Sequence, residues 1–237
     1  MEDTSSPPSL LPVEDSMPGN TTVETPPVNP DFALFIERSP MPDENGVINI
    51  DSGWVPVLVA ELGSQGVPVT ESAPSADDIT AGIETARTLI ADKKSIEFLE
   101  NMPYRLVKPE DFGDERATIL KTEGLLWIDP SVIVGTGTFD EATGWSGRGE
   151  GHGKQYTDSL GVSGVGKSID VIEDYAARAS QLPKLEYGAL GIILPADGSK
   201  PIVFTTNSNH RASAAKLRGE PLGFNTVMVF DRTKKPN

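Results

Sequence analysis

Apolar positions along the chain change period several times, and each change predicts an element. FALFIE, GVINI and WVPVLVAEL are short apolar pieces separated by Pro and Gly, which predicts β-like segments. The period then lengthens: SADDITAGIETARTLIAD sets Ile79, Ile83, Ala86 and Ile90 at helical spacing, with Ser75 and Asp78 as a capping signal ahead of them. KKSIEFLENM predicts a second helix that Pro103 stops. GLLWIDPSVIV reads as a buried strand that breaks at Pro130. Further on, IDVIEDYAARAS puts Ile169, Ile172, Ala176 and Ala179 on one helical face. EYGALGIIL and KPIVFTT are strands joined through PADGS, a hairpin signal. HRASAAKLRG is a short helix closed by Gly219, and NTVMVF is the last strand.

Two stretches carry no such period. Residues 1–30 are acidic and rich in Pro, Ser and Thr, with too few large apolar side chains to offset the entropy of ordering, and are expected to be a disordered tail. Residues 135–168 form a long polar stretch with ten glycines, the kind of connector that is functional or mobile rather than core. The expected organisation is therefore a tail (1–30), a small α+β accessory region (31–118) and a C-terminal α+β domain (119–237).

Charge divides the chain in the same way. The net charge is −15, and from Met1 to Ile119 there are 22 acidic and 7 basic residues against 13 of each from Leu120 onward. An acidic first half disfavours contact with a phosphate backbone and suits a protein partner, such as a carrier or an immunity-like protein. With no cysteine there is no disulfide, thiolate metal site or thiol nucleophile. No apolar run approaches the ~20 residues of a membrane span and the N-terminus lacks a secretory pattern, so a soluble chain is expected, with export or incorporation into a virion left open.

GVSGVGKS, Gly161 to Ser168, has the spacing of a phosphate-binding P-loop, in which glycines admit backbone N–H groups to the phosphates, the lysine reaches the outer oxygens and the serine ligates Mg²⁺. Its surroundings fit poorly. The preceding KQYTDSL is too polar for a central parallel strand; of the strand ends that could hold a metal, VMVFD (Asp231) lacks intervening βα units and LLWID (Asp129) lies before the loop. The plainer expectation is a glycine-rich connector with Ser168 capping a helix that begins at Ile169, and Lys167 adding charge to a site built elsewhere.

That other site is FTTNSNHRASAAKLRG, a strand ending in small polar residues that turns directly into a helix. A helix N-terminus gathers unpaired N–H groups, and here they stand beside a histidine and an arginine. Asn207, Ser208 and Asn209 can shape or cap the turn, Arg211 can clamp phosphate in a bidentate way, and His210 can transfer a proton near neutral pH. Asp129 is a candidate to orient or activate an attacking group, and His152, Arg148 and Lys154 in the glycine-rich stretch are candidates for a lid.

These residues also carry a resemblance. The run from Ile169 to Asp231, with its DG turn, the NSNHR turn, the Ala214–Ala215 pair and Gly219, resembles the ParB/sulfiredoxin-like superfamily, and WIDPSVIV is similar to the opening of that domain. The resemblance covers about half of the chain and implies a mixed sheet with short helices whose turn binds nucleotide phosphates or acts in phosphotransfer, with some members described as nucleases. Asn207 or Ser208 stands where the family has a glycine. Sulfiredoxin chemistry needs a cysteine, and chromosome partitioning needs a helix-turn-helix domain and a double-arginine motif that this sequence does not show. The expectation is a nucleotide or nucleic-acid phosphate binder, with ATP or CTP and Mg²⁺ as candidate ligands, of bacterial or phage origin and acting as a phosphotransfer enzyme, nuclease or toxin-like effector. A non-enzymatic phage or secretion-system interaction protein is the alternative, and a P-loop NTPase a third.

Overall fold

The computed structural model describes residues 32–102, 105–107, 109–112, 116–137, 139–140, 144–145, 165–178, 188–206 and 209–233. Their fold is mixed α+β, built on one eight-stranded sheet. The helices are α1 (Phe32–Arg38), α2 (Val55–Ser64), α3 (Ala76–Ala91), α4 (Ser95–Glu100), α5 (Pro109–Phe112), α6 (Val165–Ala177) and α7 (Asn209–Arg218). The sheet contains β1 (Val47–Ile50), β2 (Val69–Thr70), β3 (Arg105–Leu106), β4 (Thr118–Ile128), β5 (Gly135–Gly137), β8 (Leu190–Leu194), β9 (Ile202–Thr206) and β10 (Leu222–Asp231), while β6 (Phe139–Asp140) and β7 (Gly144–Trp145) pair separately. The strand order is β1-β4-β10-β8-β9-β5-β3, with β2 also on β4. From the pairings, β1, β4, β9, β5 and β3 run one way and β10, β8 and β2 the other.

Strand alternation sorts the core into two faces. Leu190, Ile192 and Leu194 of β8, Val203 of β9, and Val227 and Val229 of β10 join the cluster that packs under α1, α2, α3, α4, α6 and α7. Their neighbours Ile193, Phe204, Met228 and Phe230 turn the other way, to a smaller cluster closed by Val107 and Phe112. Burial on both faces explains why LGIIL and VMVF are unbroken apolar runs.

The region 31–118 does not stand apart from the rest. β1 pairs in parallel with β4 and β2 pairs antiparallel with its far end, and Phe32, Phe35, Ile48, Leu58 and Leu62 share one hydrophobic cluster with Phe224 and Val229. A boundary at residue 118 falls at the first residue of β4 and cuts that common core.

Two of the predicted β pieces are helices. FALFIE lies in α1, whose buried Phe32 and Phe35 are one helical turn apart, and WVPVLVAEL is mostly α2, which buries Val55, Leu58 and Leu62. Pro56 does not break α2, because it occupies the first turn, where a missing N–H costs nothing. The cap of α3 and the hairpin follow the sequence pattern, while Pro103 and Ala179 lie outside the described residues. α3 carries the complete Ser75–Asp78 capping box, with the Ser75 hydroxyl and N–H holding the Asp78 carboxyl below its usual range, and β8 and β9 form the hairpin. The expected tail falls outside the described residues.

Candidate functional site

β9 and β5 lie side by side and parallel, with Gly137 opposite Thr206, so their carboxyl ends reach the same level of the sheet. α7 springs from that level at Asn209. Thr206 is fixed there by a hydrogen bond from the Ala189 N–H to its hydroxyl (3.0 Å) and another from its own N–H to the Ala189 carbonyl (3.0 Å). His210 and Arg211 follow in the first turn of α7, half-buried, each engaged with its surroundings, and that turn contains no acidic residue. No carboxylate in that turn offsets the positive end of the helix dipole. Asn207 and Ser208 lie outside the described residues.

Gly166, Lys167 and Ser168 belong to α6, which begins at Val165 rather than at Ile169. Ser168 is therefore inside the helix and does not cap it. Residues 161–164 of GVSGVGKS, the segment before it where a P-loop would need a strand, and the lid candidates Arg148, His152 and Lys154 lie outside the described residues.

Asp129 follows β4 and caps a single 3-10 turn, Pro130–Val132, its carboxylate accepting the Ser131 N–H at 2.8 Å. It also acts on Lys216. This lysine of α7 is 1% exposed and donates from Nζ to the Ile133 carbonyl at 2.6 Å, just beyond the turn. Burial pushes the Lys216 ammonium down to about 8, and the Asp129 charge pulls it back up. Lys216 thus ties α7 to the β4–β5 connection, at the end of α7 away from His210.

Arg218, the last residue of α7, is more deeply engaged. Its Nε donates to the Ala176 carbonyl (2.8 Å), Nη2 to the carbonyls of Tyr175 (2.9 Å) and Arg178, and Nη1 to Glu220 Oε2 (2.9 Å). The carbonyls that end α6 have no partners within their own helix, and Arg218 supplies three of the missing donors. Arg87 of α3 adds a fourth, to the Ala177 carbonyl at 3.2 Å. Gly82 of α3 lies against this clasp: a Cβ there would stand 3.1 Å from the Arg218 carbonyl oxygen and 3.2 Å from its Cβ. α6 and α7 pack against one another, clasped at their carboxyl ends.

Sequence reasoning passed over Lys216 and Arg218. The available signal was the run ASAAKL: α7 is buried from Ala212 to Arg218, and a helix of small residues buried all round must neutralise any cation it contains. Among the described residues no three His, Asp or Glu gather into a metal-holding group, and no helix is long and apolar enough to cross a membrane. No family model matches the chain, and neither a curated protein nor a solved structure matches it.

Proposed function

We propose that this chain binds the phosphates of a nucleotide or nucleic acid at the amino end of α7, as the ParB/sulfiredoxin-like resemblance implies. The observation that carries this reading is the succession of β9 and α7. β9 ends level with the parallel strand β5, and α7 leaves it with His210 and Arg211 in an acid-free first turn. In this reading Arg211 neutralises phosphoryl oxygens, His210 transfers the proton, and Lys167 adds charge from the neighbouring helix start. Asp129 keeps its turn closed and, through Lys216, tied to α7. ATP and CTP, with Mg²⁺ as their counter-ion, are the nucleotide candidates. Titration calorimetry with ATP, CTP, single-stranded DNA and RNA, each with and without Mg²⁺, tests the reading. Saturable binding that Arg211→Ala abolishes supports it, and no heat from any of the four defeats it.

One observation favours a non-enzymatic interaction protein instead. Two of the three Lys and Arg residues of α7, Lys216 and Arg218, are buried on main-chain carbonyls and serve the fold. That reading requires His210→Ala and Arg211→Ala to leave nucleotide binding and any hydrolysis at background.

A further inference from the structure

A cavity of about 500 Å³ opens between α3 and the turn from α7 to β10, on a wall that includes Asp78, Ala81, Gly82, Thr85, Gly219 and Glu220. Small-ligand sites run from roughly 300 to 1,000 Å³, so the space suits a small ligand or a single side chain. The hydrogen-bonding capacity of this wall is one-sided. Arg218 also reaches it, but four of its five N–H donors are spent on the end of α6 and on Glu220. The N–H groups of Gly219 and Glu220 go to the carbonyls of Lys216 and Ala215, that of Asp78 to the Ser75 hydroxyl, and the Thr85 hydroxyl to the Ala81 carbonyl. Acceptors remain. Glu220 Oε1 is buried and has no hydrogen-bond partner among the described residues. Asp78 accepts from Ser75 through Oδ2 alone, and those bonds hold its carboxyl below the usual range, so it stays ionised. Gly82 keeps α3 from covering the Glu220 carboxylate, since a Cβ there would stand 3.5 Å from Oε2. Two carboxylates against one guanidinium make the wall net negative. We propose that this cavity binds an organic cation, a guanidinium or primary ammonium group that brings N–H donors to Glu220 and Asp78. A buried acceptor without a donor is unfavourable, and a charged donor that reaches it relieves that and adds a charge-assisted bond. The site is independent of the phosphate reading, because it lies at the carboxyl end of α7 and His210 stands at the amino end.

Backbone amide shifts of the full chain, followed by NMR during titration with methylguanidine, n-butylamine and the capped tripeptide acetyl-Gly-Arg-Gly-amide, test the site. Uncharged methylurea is the control. Saturable shifts at Gly82, Thr85 and Gly219 with a cation, and none with methylurea, are expected. Saturation by methylguanidine or butylamine makes the ligand a free amine or guanidine, and saturation by the tripeptide alone makes it a polypeptide side chain. Glu220→Gln keeps the shape and an acceptor for Arg218 but removes the charge, and is expected to weaken the cation about tenfold. Ala81→Phe, at an exposed position of α3 on the cavity wall, fills the space without entering the core. It is expected to abolish the shifts, and serves if Glu220→Gln does not fold. The proposal is overturned if no probe gives saturable shifts at these amides, if methylurea binds as well as the cations, or if affinity is unchanged in a folded variant.

Discussion

Arg218 and Glu220 form an ion pair of 2.9 Å in which neither side chain is exposed by more than 1%. Removing one partner strands the other's charge in the interior, which typically costs about 3–5 kcal/mol. Glu220→Ala is therefore expected to lower stability by roughly that amount in urea denaturation. Arg218→Met with Glu220→Leu is expected to cost less than the sum of the single changes, because no charge is left behind, although the α6 carbonyls lose their donors. Strict additivity of the two single changes would show that the pair is not coupled.

Lys216 gives the protein a pH dependence. Its folded-state value of about 8 lies below the ordinary 10.5, so between those values the unfolded chain binds more protons than the folded one. Stability should therefore rise as pH increases from about 8 to 10.5, by up to roughly 3 kcal/mol, and this contribution should be absent below pH 8. Lys216→Met removes the effect. Parallel stability curves for the two proteins from pH 7 to 10 would contradict the assignment.

Gly191 in β8 lies beneath the ring of Phe204 on β9, and a Cβ at Gly191 would fall 2.1 Å from the ring carbon Cζ. Phe204 has little room to yield, since its ring packs edge-on against Phe112 at 5.5 Å and lies 6.2 Å from Phe230. Gly191→Ala is expected to cost about 1–3 kcal/mol through overpacking, despite alanine's smaller backbone entropy cost. Gly191→Ala with Phe204→Leu should recover part of the loss, as chemical denaturation can measure.

The central elements were legible because their signals were local. The Ser75–Asp78 cap, the PADGS hairpin and the doubly buried LGIIL and VMVF announce themselves within a few residues. α1 and α2 were not, because aromatic and β-branched residues in FALFIE and VPVLV satisfy a strand pattern as readily as a helical one. Their place in the common core with β1 and β4 decides between them. The join of β1 and β2 to β4 crosses more than fifty residues, and hydrophobic period says nothing about which strands meet. At the site, the succession of strand β9 and helix α7 was readable from PIVFTT and HRASAAKLRG, while Asn207 and Ser208 between them lie outside the described residues. The roles of Lys216 and Arg218 were not, because each depends on carbonyls some forty to eighty residues away in sequence.

In the proposed site, phosphate is held at the start of α7 and not by the P-loop-like motif. Calorimetric titration of ATP and CTP into the parent protein, Arg211→Ala and Lys167→Ala, with melting temperatures recorded alongside, tests it most directly. Arg211→Ala is expected to weaken binding more than about tenfold at an unchanged melting temperature, and Lys167→Ala to weaken it far less. A loss confined to Lys167→Ala would contradict the claim and return the site to GVSGVGKS.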